Sequence, residues 1–114
     1  MAVSILKQRD YLIASVQSAL TDTEVLELRD ALLERVAKHR SRAVIVDLGA
    51  LDVIDSFVSR SITTVALTSR LRGARTVVVG IRPEVALAMS HFGLGLDGVE
   101  TALDLEAGLE LLDG

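Results

Sequence analysis

The segment that most limits how this chain can fold runs from Ala43 to Leu48 and is almost continuously apolar. A strand with one face in water would alternate apolar and polar residues, so this run predicts a central strand covered on both faces. A loop carrying Asp52 and Asp55 follows, and Ser56 opens the next helix. In open α/β sheets, the functional residues usually lie where a strand ends and the next helix begins, so this corner is the first candidate site.

The remaining segments alternate between strand and helix patterns. Residues 3–8 and 11–17 predict an antiparallel hairpin that turns at Arg9-Asp10. Thr21 and Glu24 fit a capping box at the start of the first helix, whereas Gly73, Pro83 and Gly93 mark later helix boundaries. In chain order, the further predicted elements are a helix over about 56–72, a strand at 76–80, a helix at 83–92, a strand at 99–102 and a helix at 104–112.

Strands that alternate with helices imply parallel crossovers. We therefore predict an α/β fold: a single domain over residues 1–114, with a mixed β-sheet, an N-terminal antiparallel hairpin and crossover helices. A chain of 114 residues is long enough to bury its own core without disulfides or metals.

The amino-acid composition excludes or disfavours several classes of function. The sequence has no cysteine, which excludes a disulfide framework and a thiol nucleophile. Its net charge of −4 and its 3% aromatic content argue against nucleic-acid binding, which favours a basic surface and stacking platforms. No apolar run approaches the length of a membrane span. We expect a cytoplasmic protein with no cofactor, no metal, no nucleic-acid partner and no membrane contact.

The second helix has an unusual composition on the face predicted to point outward. At about 100° per residue, the core side carries Val58, Ile62, Val65, Ala66 and Ser69. The outer side carries Ser56, Ser59, Arg60, Thr63 and Leu67. Few charges, several hydroxyls and an apolar side chain suit a surface that is desolvated against a partner, although a solvated face is equally compatible with this composition.

Two other interpretations of the corner compete. A serine at a helix start is most often an N-cap, and the position of Ser56 by itself favours that role. Asp47, Asp52 and Asp55 could instead gather around Mg²⁺ in a receiver-like domain phosphorylated on Asp47. That alternative is remote, because no acid pair ends the first strands and Gly80-Ile81-Arg82 stands where a receiver has a lysine.

Three strings of the sequence together resemble one known family. They are Asp47-Leu48 with Asp52-x-Ile54-Asp55-Ser56-Phe57, Gly73-Ala74-x-x-Val77-Val78-x-Gly80-Ile81-x-Pro83, and Glu100-Thr101-Ala102-Leu103-Asp104-Leu105-Glu106-x-Gly108-Leu109-Glu110. With these motifs the chain resembles the STAS domain family over nearly its whole length. Within that family it is most similar to the RsbS-type co-antagonists of the stressosome.

The resemblance implies a non-enzymatic switch. STAS antagonists carry a phosphorylated serine at the opening of the second helix, which corresponds to Ser56. The implied partners are an RsbT-type serine kinase that is sequestered until Ser56 is phosphorylated, RsbR-type STAS paralogues, and an RsbX-type phosphatase. A homodimer and a large hetero-oligomeric assembly are also implied, upstream of a general stress sigma factor.

The kinase contact is expected to involve residues around Ser56 and along the second helix. These candidate partner-binding residues are Asp52, Asp55, Ser59, Arg60, Thr63 and Leu67. A simple anti-anti-sigma factor of the same fold, binding an anti-sigma kinase, is the alternative function.

Overall fold

Five strands and four helices follow one another in residues 3–114, which is the part of the chain that the computed structural model describes. Met1 and Ala2 belong to the predicted domain but lie outside the described residues. The strands are β1 (Val3–Gln8), β2 (Tyr11–Val16), β3 (Ala43–Asp47), β4 (Arg75–Val79) and β5 (Glu100–Ala102). The helices are α1 (Asp22–His39), α2 (Ser56–Leu71), α3 (Pro83–His91) and α4 (Leu105–Asp113).

The strands form one mixed sheet in the order β1-β2-β3-β4-β5. β1 pairs with β2 antiparallel, which confirms the predicted hairpin, and the turn places Arg9 at φ 54°. The pairs β2–β3, β3–β4 and β4–β5 are parallel. β3 therefore lies at the centre of the sheet, and its first four residues are fully buried, as the apolar run predicted.

Two apolar layers cover the two faces of the sheet. Leu12, Val44, Val46 and Val78 face the larger core, to which α1, α2 and α3 contribute buried side chains. The alternate strand residues pack against apolar side chains of α4, and this smaller cluster contains Ile13, Ile45, Val77, Val79, Leu105, Leu109 and Leu112. Because the parallel strands are added in chain order, crossovers of one hand bring α1, α2 and α3 to the same face.

Capping residues set the helix boundaries largely as predicted. Thr21 and Glu24 form the complete capping box of α1, with both reciprocal hydrogen bonds present. Gly73 follows α2 with a φ of +82°, and Pro83 occupies the first turn of α3. None of the helices in residues 3–114 is long and apolar enough to cross a membrane.

The apolar residues of the third helix are divided between the core and the surface. Val85 and Met89 of α3 are buried, whereas Ala88 and Phe92 are exposed. α3 ends at His91, so Phe92 is its C-cap residue and leaves the helical stripe that Val85 and Met89 follow. Both exposed side chains line a groove beside the start of α2.

Candidate functional site

Two loops at the carboxyl ends of β3 and β4 lie directly against each other. The Leu48 N–H donates to the Val79 carbonyl at 3.0 Å. A Cβ atom on Gly80 would lie 2.9 Å from Asp47 Oδ1 and 3.3 Å from the Gly49 Cα, and Gly80 has a φ of +78°. Only glycine satisfies both this conformation and this close approach, so the backbone itself fixes the position of the β3–α2 loop.

Arg82 joins the two loops. Its Nε donates to the Gly49 carbonyl at 2.9 Å, and its Nη1 donates to the carboxylate of Asp52. Arg82 is not among the site residues predicted from the sequence. Its position just after β4 could have indicated a role in the site. The carboxyl ends of neighbouring parallel strands lie side by side, so a residue after β4 comes close to the loop after β3.

Asp55, and not Ser56, is the N-cap of α2. The Asp55 carboxylate accepts a hydrogen bond from the Val58 N–H at 2.9 Å, and Asp55 has extended backbone angles. Ser56 is the first residue within the helix, so the expectation that it caps α2 is wrong. The two residues are both good caps and lie side by side, and the chain enters the helix one residue earlier than a serine cap would require. The Ser56 hydroxyl has no capping function here.

Ser56 is exposed and lies on the rim of an apolar groove of about 430 Å³ between the β3–α2 loop and α3. Val53 and Phe92 line this groove with 72% and 76% of their surface exposed. The complete lining consists of Asp52, Val53, Ile54, Asp55, Ser56, Val85, Ala88, Met89, Phe92 and Leu94. An exposed hydroxyl thus borders an apolar surface that gains free energy when it is covered.

The outward face of α2 is smaller than the sequence predicted. Arg60 is exposed, Leu67 is 50% exposed, and Thr63 is half-buried with its hydroxyl donating to the Ser59 carbonyl at 2.9 Å. Ser59 is only 3% exposed, so its predicted place on this face is wrong. Ser59 lies three residues before Ile62 along the helix, a spacing that puts both side chains on the buried stripe.

The loop acids do not form a metal site. Asp47 is half-buried, and its Oδ1 accepts from the Gly49 N–H at 2.9 Å. Asp52 is paired with Arg82, and Asp55 caps α2. Throughout the described residues, no group of three or more His, Cys, Asp or Glu side chains could hold a metal ion. This geometry does not favour the receiver-like alternative.

Within residues 3–114, the groups with shifted pKa values lie at the other end of the parallel strands, where β2, β4 and β5 begin. The hydrogen bonds that Arg75 donates to Glu100, at 2.8 and 2.6 Å, lower the pKa of Glu100 and raise the pKa of Arg75. The Tyr11 hydroxyl donates to Asp113 at 2.6 Å, which raises the pKa of the phenol. These contacts fasten β5 to β4 and the end of α4 to β2, and they lie away from Ser56.

The fold and the site together define a class of protein: an α/β domain that presents an exposed serine at the start of its second helix beside an apolar groove. The family model of the STAS domain matches residues 2–106. The chain belongs to the STAS domain family, and the described residues form a single STAS-fold domain.

Similar proteins include an RsbT co-antagonist and an RsbS protein. The RsbT co-antagonist protein RsbRA of Bacillus subtilis (strain 168) is 36% identical over 90 residues, which cover 78% of this chain and 33% of RsbRA. The chain thus spans about a third of the length of this relative. A serine-to-glutamate variant of RsbS from Moorella thermoacetica superposes with a TM-score of 0.85 at 33% identity, covering 99% of this chain and 96% of that one.

A second solved structure supports the same relationship. A chain from the structure described as the molecular architecture of the stressosome, a signal integration and transduction hub, superposes with a TM-score of 0.76 at 32% identity. The match covers 96% of both chains. The resemblance to RsbS-type STAS proteins is thereby confirmed, together with the mixed α/β fold.

Proposed function

We propose that this chain is a phosphorylatable antagonist that binds an RsbT-type serine kinase and releases it when Ser56 is phosphorylated. The observation that carries this proposal is the position of Ser56, exposed at the first residue of α2 and on the rim of the apolar groove. The hydroxyl is accessible to the active site of a kinase, and the groove offers that kinase an area to cover. The chain supplies no catalysis, since ATP and Mg²⁺ come with the kinase.

Phosphorylation would change the electrostatics of the docking surface. A phosphate adds a charge of roughly −1.5 to −2. The free N–H groups at the start of α2 favour that charge, so the modified helix keeps its structure. Phosphorylation instead weakens the complex with the kinase. To cover Val53 and Phe92, the kinase must also remove water from the phosphate on the rim of the same groove, which is unfavourable.

The neighbouring acids increase this effect. Asp55 contributes a carboxylate beside Ser56, and Asp52 contributes a second one that Arg82 neutralises in part. Arg60 and Leu67 extend the proposed contact along the exposed side of α2, and Thr63 lies at its edge. Ser59 is not included, because its side chain is buried.

The likeness to stressosome proteins supports a shared assembly with RsbR-type STAS paralogues, in addition to a homodimer. An RsbX-type phosphatase would remove the phosphate and restore kinase binding. The assembly acts in the cytoplasm upstream of a general stress sigma factor. These partners complete the proposed cycle of capture, phosphorylation, release and reset.

The decisive experiment is intact-mass analysis with peptide mapping after incubation with an RsbT-type kinase and Mg-ATP. One phosphate on Ser56 is expected. Ser56→Ala should bind the kinase and block its release, whereas Ser56→Asp should bind more weakly. Ser90→Ala is the matched control, since Ser90 is also an exposed helical serine and its loss should leave labelling intact.

Labelling at Asp47, no labelling, or tight kinase binding by Ser56→Asp would overturn the proposal. Co-purification with RsbR-type paralogues separates the stressosome role from the anti-anti-sigma alternative. The former requires a large mixed assembly, and the latter requires only a complex with an anti-sigma kinase.

A further inference from the structure

A second cavity, partly open at the surface, lies between α1, α2 and the sheet. It has a volume of about 180 Å³. Thirteen of its sixteen lining residues are apolar, and the other three are Arg29, Asp55 and Ser61. The deep wall is buried and aliphatic, and it includes Val25, Leu32, Val46, Ile62 and Val65. The rim is exposed at Ala19, Val53 and Asp55, so the cavity opens beside the start of α2.

The lining of the cavity favours an apolar ligand over water or a charged ligand. Water needs two to four polar partners to be retained in a cavity, and the deep wall of this one supplies none beyond the hydroxyl of Ser61. A charged ligand would lose its hydration without compensation, because Asp55 already caps α2 and Arg29 is paired with Asp30 at 2.9 Å. Apolar atoms, in contrast, would gain contacts with the aliphatic wall.

The volume sets the size of the occupant. An engineered apolar cavity of roughly 150 Å³, lined by Leu, Ile and Phe, stays dry and binds benzene. We propose that the cavity between α1 and α2 is a binding site for a small uncharged apolar molecule of about the size of benzene. The groove beside Phe92 is a different pocket, although Val53 and Asp55 border both.

The location of the cavity couples it to the start of α2. Asp55 lies on the rim and caps the helix, and Val58, whose N–H donates to that cap, lines the wall. An occupant therefore contacts the first turn of α2 and should slow hydrogen exchange of the Val58 amide. Any effect of occupancy on phosphorylation rests on the proposed function, whereas binding does not.

The test is a titration of the isolated chain with benzene, followed by methyl NMR. Saturable shifts are expected at Val25, Leu32, Val46 and Ile62, at concentrations on the order of 1 mM. The methyl groups of Ile13, Ile45, Val77 and Val79 are the internal control, since they lie on the opposite face of the sheet. Benzene should also raise the melting temperature, because it binds only the folded state.

A variant that fills the cavity provides the second arm. Val65→Phe should abolish the shifts, and Val58→Phe, at a half-buried position nearer the opening, serves the same purpose if the first variant does not fold. Ile45→Val, on the other face of the sheet, should retain them. Absent shifts, shifts of equal size in both apolar clusters, or unchanged binding in a folded, cavity-filled variant would overturn the proposal.

Discussion

The guanidinium of Arg82 donates a hydrogen bond to the carboxylate of Asp52, 30 residues earlier in the chain. The same guanidinium holds the carbonyl of Gly49. One side chain at the start of α3 thus fastens the loop that leads from β3 to Ser56. The position of the candidate phosphoacceptor consequently depends on a residue in a different crossover of the sheet.

Removing this fastening should loosen the loop more than it destabilises the domain. We expect Arg82→Ala to lower the free energy of unfolding by about 1 kcal/mol or less, because the ion pair is partly exposed. Hydrogen exchange should accelerate at Leu51, whose N–H donates to the Leu48 carbonyl within the loop. Arg42→Ala is the control, since Arg42 approaches Asp10 only at 3.9 Å and lies far from the loop. Equal exchange rates in both variants would contradict the assigned role.

The caps of α2 and α4 form a matched pair. Asp55 accepts from Val58 N–H at 2.9 Å, and Asp104 accepts from Ala107 N–H at 2.9 Å. Replacing either aspartate by alanine should cost about 1 kcal/mol in urea unfolding. Only Asp55→Ala should change the rate of Ser56 phosphorylation, because Asp104 caps a helix on the other face of the sheet. A similar change in rate for both variants would indicate a general loss of stability.

Phe92 is expected to act in binding and not in folding. Because its side chain is 76% exposed, Phe92→Ala should change stability by no more than about 0.5 kcal/mol. The same substitution should weaken the kinase complex, as measured by calorimetry. Leu71→Ala removes a side chain that is 88% exposed at the far end of α2 and should leave the affinity unchanged. If Phe92→Ala bound as tightly as the unmodified chain, the groove would not be the docking surface.

Gly108 allows α4 to approach the sheet. A Cβ atom there would lie 2.8 Å from Cγ1 of Val79, and a β-branched side chain has little freedom to move away. Gly108→Ala should therefore destabilise the domain by about 1 kcal/mol or more, despite the better helix propensity of alanine. Glu110→Ala, at an exposed position of α4, should change stability by less than about 0.5 kcal/mol. Chemical denaturation distinguishes the two, and a stabilised Gly108→Ala variant would refute the close packing.

The Arg75–Glu100 pair predicts a small dependence of stability on pH. The hydrogen bonds from Arg75 place the pKa of Glu100 below its ordinary value of 4.5, so the unfolded chain binds more protons than the native state. The stabilisation is complete above that value and is lost as pH falls through the folded-state pKa. Since both side chains are more than a third exposed, we expect less than about 1 kcal/mol.

Urea unfolding at pH 7 and pH 3 checks this sign. Glu100→Gln should be less stable than the unmodified chain at pH 7, and this deficit should shrink at pH 3, because protonation of Glu100 weakens its pairing with Arg75. A deficit of the same size at both pH values would assign the loss to packing.

Local patterns predicted the elements well, because their causes lie within a few residues. The capping box of Thr21 and Glu24 fixed the start of α1, the apolar run at 43–48 identified the central strand, and Gly73 and Pro83 marked helix boundaries. The position of Ser56 at the start of α2 was also predicted from the sequence. Its assignment as the N-cap was wrong by one residue, because Asp55 has equal capping ability and the local pattern does not discriminate between them.

Local sequence patterns alone specify the series of strands and helices, together with the serine at the start of α2. The tertiary structure decided the rest: the burial of Ser59, the exposure of Phe92, the pairing of Arg82 with Asp52, and the cavity between α1 and α2. The physical reason is distance along the chain. Capping and periodicity act over three or four residues, whereas the contacts of Arg82 arise only when crossovers bring residues about 30 positions apart together, and burial depends on which helix faces the sheet covers.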